Sequence, residues 1–419
     1  MISYYEAKKI LLTNVYSLSS VKIFSLNSLD KICFENIYSR YNIPYLNNSA
    51  MDGYAIKILE IKLTSYEKPL IYKVVGCQFA GQNFYFNDIE SYCVIEIMTG
   101  AILPNNFNAV IKKEDVEVIY INNVKYIIIK KLILAYENVR ITGEDVFKYD
   151  LIIKKGKIIN SSDIMLLINL GINYIYVYKN PKIVLICTGE ELIGVKFSLM
   201  IGQIYNSTYA YLKSFFYRLG ITLYYYGETV DNTKLFVRII KKIEILDNPE
   251  IIISTGGVSK GKCDFIITTL NLLKAEILFN GVCIKPGKPI IFAKINDYVY
   301  FFGLPGNPIS SVIGVRFFVY PLIRKFFCLP DEVGIQVKLG HSLNKKIGYT
   351  NFMKSILYED NNEYFIDCMY EQESFKIYSF TKTFFWAFLK DDTYIYKKND
   401  YIDVFSYEPY AWRNMLYDK

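Results

Sequence analysis

The spacing of apolar positions changes several times along the chain, and each change marks a different kind of element. Near the start, Ala7, Ile10, Leu11 and Val15 recur at helical intervals. Ser3 stands three positions before Glu6, as in a capping box, so a helix is predicted over residues 3–18. From 44 to 139 the pattern breaks into short apolar runs at 71–75, 93–98, 116–120 and 126–129, divided by Gly, Asn and Pro. Such runs predict a small β domain. Residues 161–171 read as a capped helix stopped by Gly171.

Between 174 and 330, strands are predicted at 183–187, 223–226, 251–253 and 299–302, and a helix over 206–219 with Gly220 as its stop. Buried strands alternating with helices predict a doubly wound α/β domain on a parallel sheet. Beyond 332 the runs at 335–339 and 363–367 alternate in polarity, whereas 384–389 is continuously apolar. A small β barrel or sandwich accommodates both. The expected organisation is an N-terminal mixed helical domain from 1–43 and 140–173, a β domain at 44–139, an α/β domain at 174–331 and a β-barrel domain at 332–419.

Composition changes this picture little. Apolar residues make up 52% of the 419, enough for several cores at roughly 100–200 residues per domain. The 39 Tyr and 28 Phe read as compositional drift toward aromatic codons. The net charge of +7 favours acidic ligands slightly, but the basic residues are scattered and form no nucleic-acid stripe. None of the eight cysteines makes a CxxC pair, which excludes a thiolate zinc site, and His341 is the single histidine. The N-terminus lacks the features of a signal peptide, and no apolar run reaches the ~18 residues of a membrane span. A cytoplasmic protein is expected.

The candidate chemistry lies in a series of corners. Asp52 sits in Asn48-Ser-Ala-Met-Asp-Gly-Tyr54, and Thr99 precedes Gly100 and Ala101. Arg140 is followed by Gly143, Glu144 and Asp145. Thr188-Gly189-Glu190-Glu191 and Ser254-Thr255-Gly256-Gly257-Val258-Ser259 end predicted strands, with Asp264 shortly after the second. Lys285-Pro-Gly-Lys288-Pro289 and Pro305-Gly306-Asn307-Pro308 with Ser310 complete the set. Each alone reads equally as a turn. Together they place glycine-rich corners at the carboxyl ends of strands, where open α/β sheets bind ligands. Backbone N–H groups there can converge on an anion. The GxxxxGK and GxGxxG fingerprints are both absent. Acids beside such loops suit a phosphorylated ligand with Mg2+, which takes few carboxylates and shares the phosphates.

These segments, in this order from Asn48 to Ser311, resemble the molybdopterin molybdenumtransferase family, which also forms the C-terminal half of the animal scaffold protein gephyrin. The resemblance implies insertion of molybdenum from molybdate into adenylylated molybdopterin, with release of AMP and with magnesium. It also implies a homodimer whose active site lies between the α/β domain of one subunit and the small β domain of the other. Transient contacts with the adenylyltransferase and with molybdoenzymes are expected; contacts with nucleic acid or membrane are not.

Carried over residue by residue, the resemblance makes Asp52, Thr99, Asp145, Glu191, Asp231 and Asp264 catalytic, with Asp52, Asp231 and Asp264 as metal ligands. Substrate would be bound by Arg140, Thr188, Gly189, Ser254, Thr255, Gly256, Gly257, Ser259, Lys285, Lys288, Pro305, Gly306, Asn307, Pro308 and Ser310. The chain departs from the family at Glu190, Asn232 and Lys260. It also has Tyr349 or Thr350 near the place of one family arginine and Lys354 in place of another. Two rival functions share the fold: adenylyl transfer from ATP to molybdopterin, and a non-catalytic scaffold.

Overall fold

The computed structural model describes all residues except 14, 59–68, 83–88, 259–262, 369–370 and 410–419, together with the side chains of 263 and 264. The chain forms two compact units, one of Met1–Val21 with Tyr178–Lys419 and the other of Lys22–Val177. Residues 1–21 fall in the larger unit. The four-part division is finer than these two units.

In the larger unit, strands Leu223–Thr229, Ile183–Thr188, Ile251–Thr255 and Tyr300–Leu304 lie side by side and parallel. Ile291–Lys294 and Glu276–Asn280 extend the sheet, each antiparallel to the strand it joins. The four predicted strands form the parallel part of the sheet, and the two added strands were not predicted. Only five residues, 295–299, join Ile291–Lys294 to the next strand. A parallel connection needs a crossover of about a dozen or more. Ile183–Thr188 and Ile251–Thr255 are buried at every position, as strands covered on both faces must be.

The predicted N-terminal helix is real but shorter. It spans Tyr4–Leu12, with the Ser3 side chain accepting from the Glu6 N–H. Thr13 turns to extended backbone and its hydroxyl donates to the Lys9 carbonyl, so the helix stops six residues before the predicted end. Tyr4 packs edge-on against Phe318, Phe352 and Phe388.

Five strands close a barrel: Thr350–Asp360, Glu363–Cys368, Ile335–Leu339, Tyr401–Ser406 and Phe385–Leu389, the last pairing back to the first. Phe385, Ala387 and Leu389 join the barrel core. Trp386 stacks on Phe380, and Phe388 meets Tyr4. Both faces of that strand are covered, which explains its unbroken apolar run. Helical residues 308–326 run beside the barrel, and Arg316 within them is 1% exposed. Its guanidinium donates twice to the Glu332 carboxylate, at 2.6 and 2.8 Å, and once to the Ser406 carbonyl.

The smaller unit holds a six-stranded sheet in the order Ala109–Lys112, Gly53–Ile56, Cys93–Ile97, Leu70–Gln78, Val124–Ile129, Glu117–Ile121. All four strands predicted there exist, with ends shifted by up to three residues. Gly53 is packed so closely that a Cβ would lie 1.9 Å from the Ile111 carbonyl oxygen. The helix Ser161–Asn169 has a complete capping box, formed by Asn160 with Asp163.

Candidate active site

Three parallel strands of the larger unit end together. Thr188-Gly189, Thr255-Gly256-Gly257 and Leu304-Pro305-Gly306 leave them as loops. The Gly256 N–H donates to the Leu304 carbonyl at 3.0 Å, and the Thr188 hydroxyl donates to the Thr255 carbonyl at 3.3 Å. Gly256 has φ +95°, and a Cβ there would sit 2.3 Å from the Thr188 carbonyl oxygen, so only glycine lets these loops approach. The Glu191 carboxylate folds back over Gly189, within 2.8 Å of where a Cβ would be.

These loops line a cavity of about 810 Å3. Thr188, Gly189 and Glu191 form one side, and Thr255, Gly256 and Gly257 the floor. Pro305, Gly306, Asn307, Pro308 and Ser310 close the next side, with Asp231 and Lys288 also on the wall. Ser254 is fully buried in its strand and is not part of the lining. Ser259 and Lys260 lie outside the described residues. Asp264 is the second residue of the helix Cys263–Leu272.

Lys285 lines a second cleft of about 390 Å3, with Asn351, Gln372 and Glu373. Pro286, Ser374 and Phe375 belong to both walls, so the two spaces adjoin. The Lys288 and Lys346 ammonium groups each lie 5.8 Å from the centre of the Tyr349 ring, where the family arginine was expected. Lys354 is buried, and its ammonium donates to Ser379 Oγ at 2.6 Å and to the carbonyls of Lys376 and Glu373. Burial lowers its pKa. It braces the barrel rather than replacing a ligand-binding arginine. Asn232, the other conspicuous departure, caps the helix Thr233–Asp247 by accepting from the Leu235 N–H. Asn caps as well as Asp, so this exchange costs the fold nothing.

The smaller unit gathers the remaining candidates. Asp52 Oδ1 accepts from both the N–H and the hydroxyl of Thr99, each at 2.8 Å. These bonds, with Lys113 Nζ at 4.0 Å from the other oxygen, hold the Asp52 pKa below its ordinary value. Thr99 thus positions Asp52. Arg140 pairs across from Asn48, and Ser49 exchanges backbone bonds with Gly100 and Ala101, which joins the three segments. The turn carrying Asp145 follows, tied by the Asp145 N–H to the Ile43 carbonyl. Arg140 and Asp145 are both exposed.

Among the described residues no three His, Cys, Asp or Glu side chains cluster as a metal site. The cavity lining of the larger unit nonetheless includes Asp231, Glu191, Thr188 and Thr255. Such hard oxygen donors, few in number, fit Mg2+ completed by substrate phosphate. Sequence reasoning missed Asn206, Phe375 and Ile377 as cavity residues. Asn206 carried a signal, as a capping residue ahead of a predicted helix. Phe375 and Ile377 carried none, because they come from the barrel region.

The family pattern described as "MoeA N-terminal region (domain I and II)" matches residues 2–171, and that described as "Probable molybdopterin binding domain" matches 184–325. A molybdopterin molybdenumtransferase of Haemophilus influenzae is 34% identical over 296 residues, covering 71% of this chain and 70% of the relative. One from Staphylococcus aureus is 31% identical over 355 residues, covering 84% and 82%. The crystal structure of a molybdopterin biosynthesis MoeA protein from Pyrococcus horikosii superposes with a TM-score of 0.85 at 26% identity, over 97% of this chain and 99% of that one. With both halves of the chain matched, and relatives covered over more than two thirds of their length, the chain belongs to the molybdopterin molybdenumtransferase family.

Proposed function

We propose that this chain inserts molybdenum from molybdate into adenylylated molybdopterin and releases AMP. The observation that carries this reading is the single cavity in which three strand ends present glycine-rich loops beside Lys288, with Lys285 in the adjoining cleft. At Gly306 only the Gly256 Cα lies within 4 Å of where a Cβ would be, so no side chain covers the backbone there and phosphate oxygens can approach it. Lys288 and Lys285 offset the charge of phosphate and molybdate, and that help grows as charge builds on the breaking phosphoanhydride. Magnesium, held by Asp231 together with Asp52 and Asp264, would polarise the anhydride when bound. In this reading Asp52 reaches the cavity from the second subunit of a homodimer, already ionised and oriented by Thr99. No cysteine nucleophile is required. Among the described residues no helix is long and apolar enough to cross a membrane, in keeping with diffusible substrates.

The test is direct. Purified protein given adenylylated molybdopterin, molybdate and Mg2+ should produce AMP and molybdenum-loaded pterin in equal amounts. Consumption of ATP with unmodified molybdopterin would instead identify an adenylyltransferase, and absence of either turnover a scaffold.

The lysines give a second expected result. Lys288→Ala should weaken substrate binding about tenfold, the scale of one charge-assisted hydrogen bond. Its thermal stability should stay within the ~0.5 kcal/mol typical of solvent-facing substitutions. Lost stability with unaltered affinity would make Lys288 a structural residue.

A further inference from the structure

Asn206 stands at the head of the helix Ser207–Arg218 and is 5% exposed on the cavity wall. Its Oδ1 accepts from the Tyr209 N–H at 3.0 Å. Its Nδ2 donates to the Tyr225 hydroxyl at 3.0 Å and to Glu228 Oε1 at 3.3 Å. The Tyr209 ring stacks on that of Tyr225, with centroids 3.9 Å apart and planes 16° from parallel. The buried Cys187 lies between Glu228 and Thr255 in register across three adjacent parallel strands. The contacts thus run from Glu228, on an edge strand, to Thr255 in the cavity floor.

Both ends of the Asn206 amide are engaged inside the protein. It cannot donate to the substrate without breaking these contacts. Glu228 and Tyr225 are not part of the cavity lining. We propose that Glu228 and Tyr225 are positioning residues for the reaction, acting through Asn206 to hold the wall at 204–208 and the Thr255 floor at the spacing the substrate needs. This rests on the function proposed above. The amide suits the arrangement because it accepts from a helix N–H while its two N–H hydrogens reach a carboxylate and a hydroxyl.

A charge exchange tests it. Asn206→Asp keeps the helix cap, since a carboxylate caps as well as an amide. It also replaces the donor by a second carboxylate facing Glu228, and like charges at that distance repel. AMP is the binding probe, by calorimetry, and turnover with adenylylated molybdopterin separates KM from kcat. Asn206→Asp should raise the Kd for AMP and the KM about tenfold, a common coupling for residues in contact. The unfolding midpoint should fall, since the new carboxylate is buried and unpaired, while kcat, read well below that midpoint, should fall by less than about threefold. Adding Glu228→Gln should restore both constants, because the new amide donates to the carboxylate at 206. Tyr225→Phe, which keeps the ring stack, should raise KM about threefold, and it decides the matter if Asn206→Asp proves unstable. Unchanged KM in Tyr225→Phe, or a loss in Asn206→Asp that Glu228→Gln does not relieve, overturns the proposal. If the unaltered chain neither binds AMP nor releases it from the adenylylated pterin, the proposed function falls, and with it the claim that this network serves a substrate.

Discussion

Asp52→Asn should fold normally, bind adenylylated molybdopterin normally and turn over at least about 100-fold more slowly, the scale of one lost electrostatic contact in the transition state. The substitution keeps size and turn geometry, because Asn serves Asx-type turns as Asp does. It can still accept from the Thr99 N–H and hydroxyl. Only the charge is lost. The pH dependence has a definite sign. Two donors from Thr99 and the nearby Lys113 depress the Asp52 pKa. Its charge is therefore complete above the ordinary carboxylate range and disappears only as pH falls through the lower, folded value. Thr99→Val removes one donor, so the acid limb of the rate profile should move up toward the ordinary carboxylate range. In a homodimer with shared sites, mixing Asp52→Asn subunits with Asp264→Asn subunits should recover part of the activity in verified heterodimers. Full turnover by the Asp52→Asn homodimer would end its catalytic role. A single-subunit mass of about 48.8 kDa in sedimentation would remove the shared site.

The largest expected effect on stability comes from Glu332→Ala. It leaves the Arg316 guanidinium, 1% exposed, with the Ser406 carbonyl as hydrogen-bond acceptor and the rings of Phe317, Tyr320 and Phe405 beside it, but with no counter-charge among its described contacts. Removing one member of a buried ion pair costs roughly 3–5 kcal/mol, and the side chain of Glu332 is 20% exposed, which favours the lower figure. The loss should show in thermal unfolding. Replacing both residues together, Arg316→Met with Glu332→Leu, should recover most of it, because no charge is then left in the core. A change within ~0.5 kcal/mol for Glu332→Ala would show that the pair behaves like a surface one.

Periodicity alone was enough to place the N-terminal helix, the four parallel strands, the helix Ser207–Arg218 and the runs that become barrel strands. These signals are local: a strand buried on both faces is apolar at every position, and a capped helix carries its cap in the sequence. The corners at Thr188, Thr255 and Pro305 were legible for the same reason, since glycine marks where backbone must turn or approach closely. What the sequence could not decide was which corners meet. Ser254 and Gly256 are two residues apart, yet one is sealed inside the sheet and the other floors the cavity. Lys285 and Lys288 share one motif but line two adjoining spaces. Lys354 looked like a substitute for a binding arginine until its ammonium was found bonded to Ser379 inside the barrel. The antiparallel edge of the sheet followed from a five-residue connection rather than from strand composition. The network of Asn206, Tyr225 and Glu228 joins a helix cap, which had a local signal, to a separate strand, and that pairing had none. Local pattern records how each segment satisfies its own backbone and its own burial. The direction in which a side chain finds its partner depends on segments far away in the chain, and only the folded arrangement supplies them.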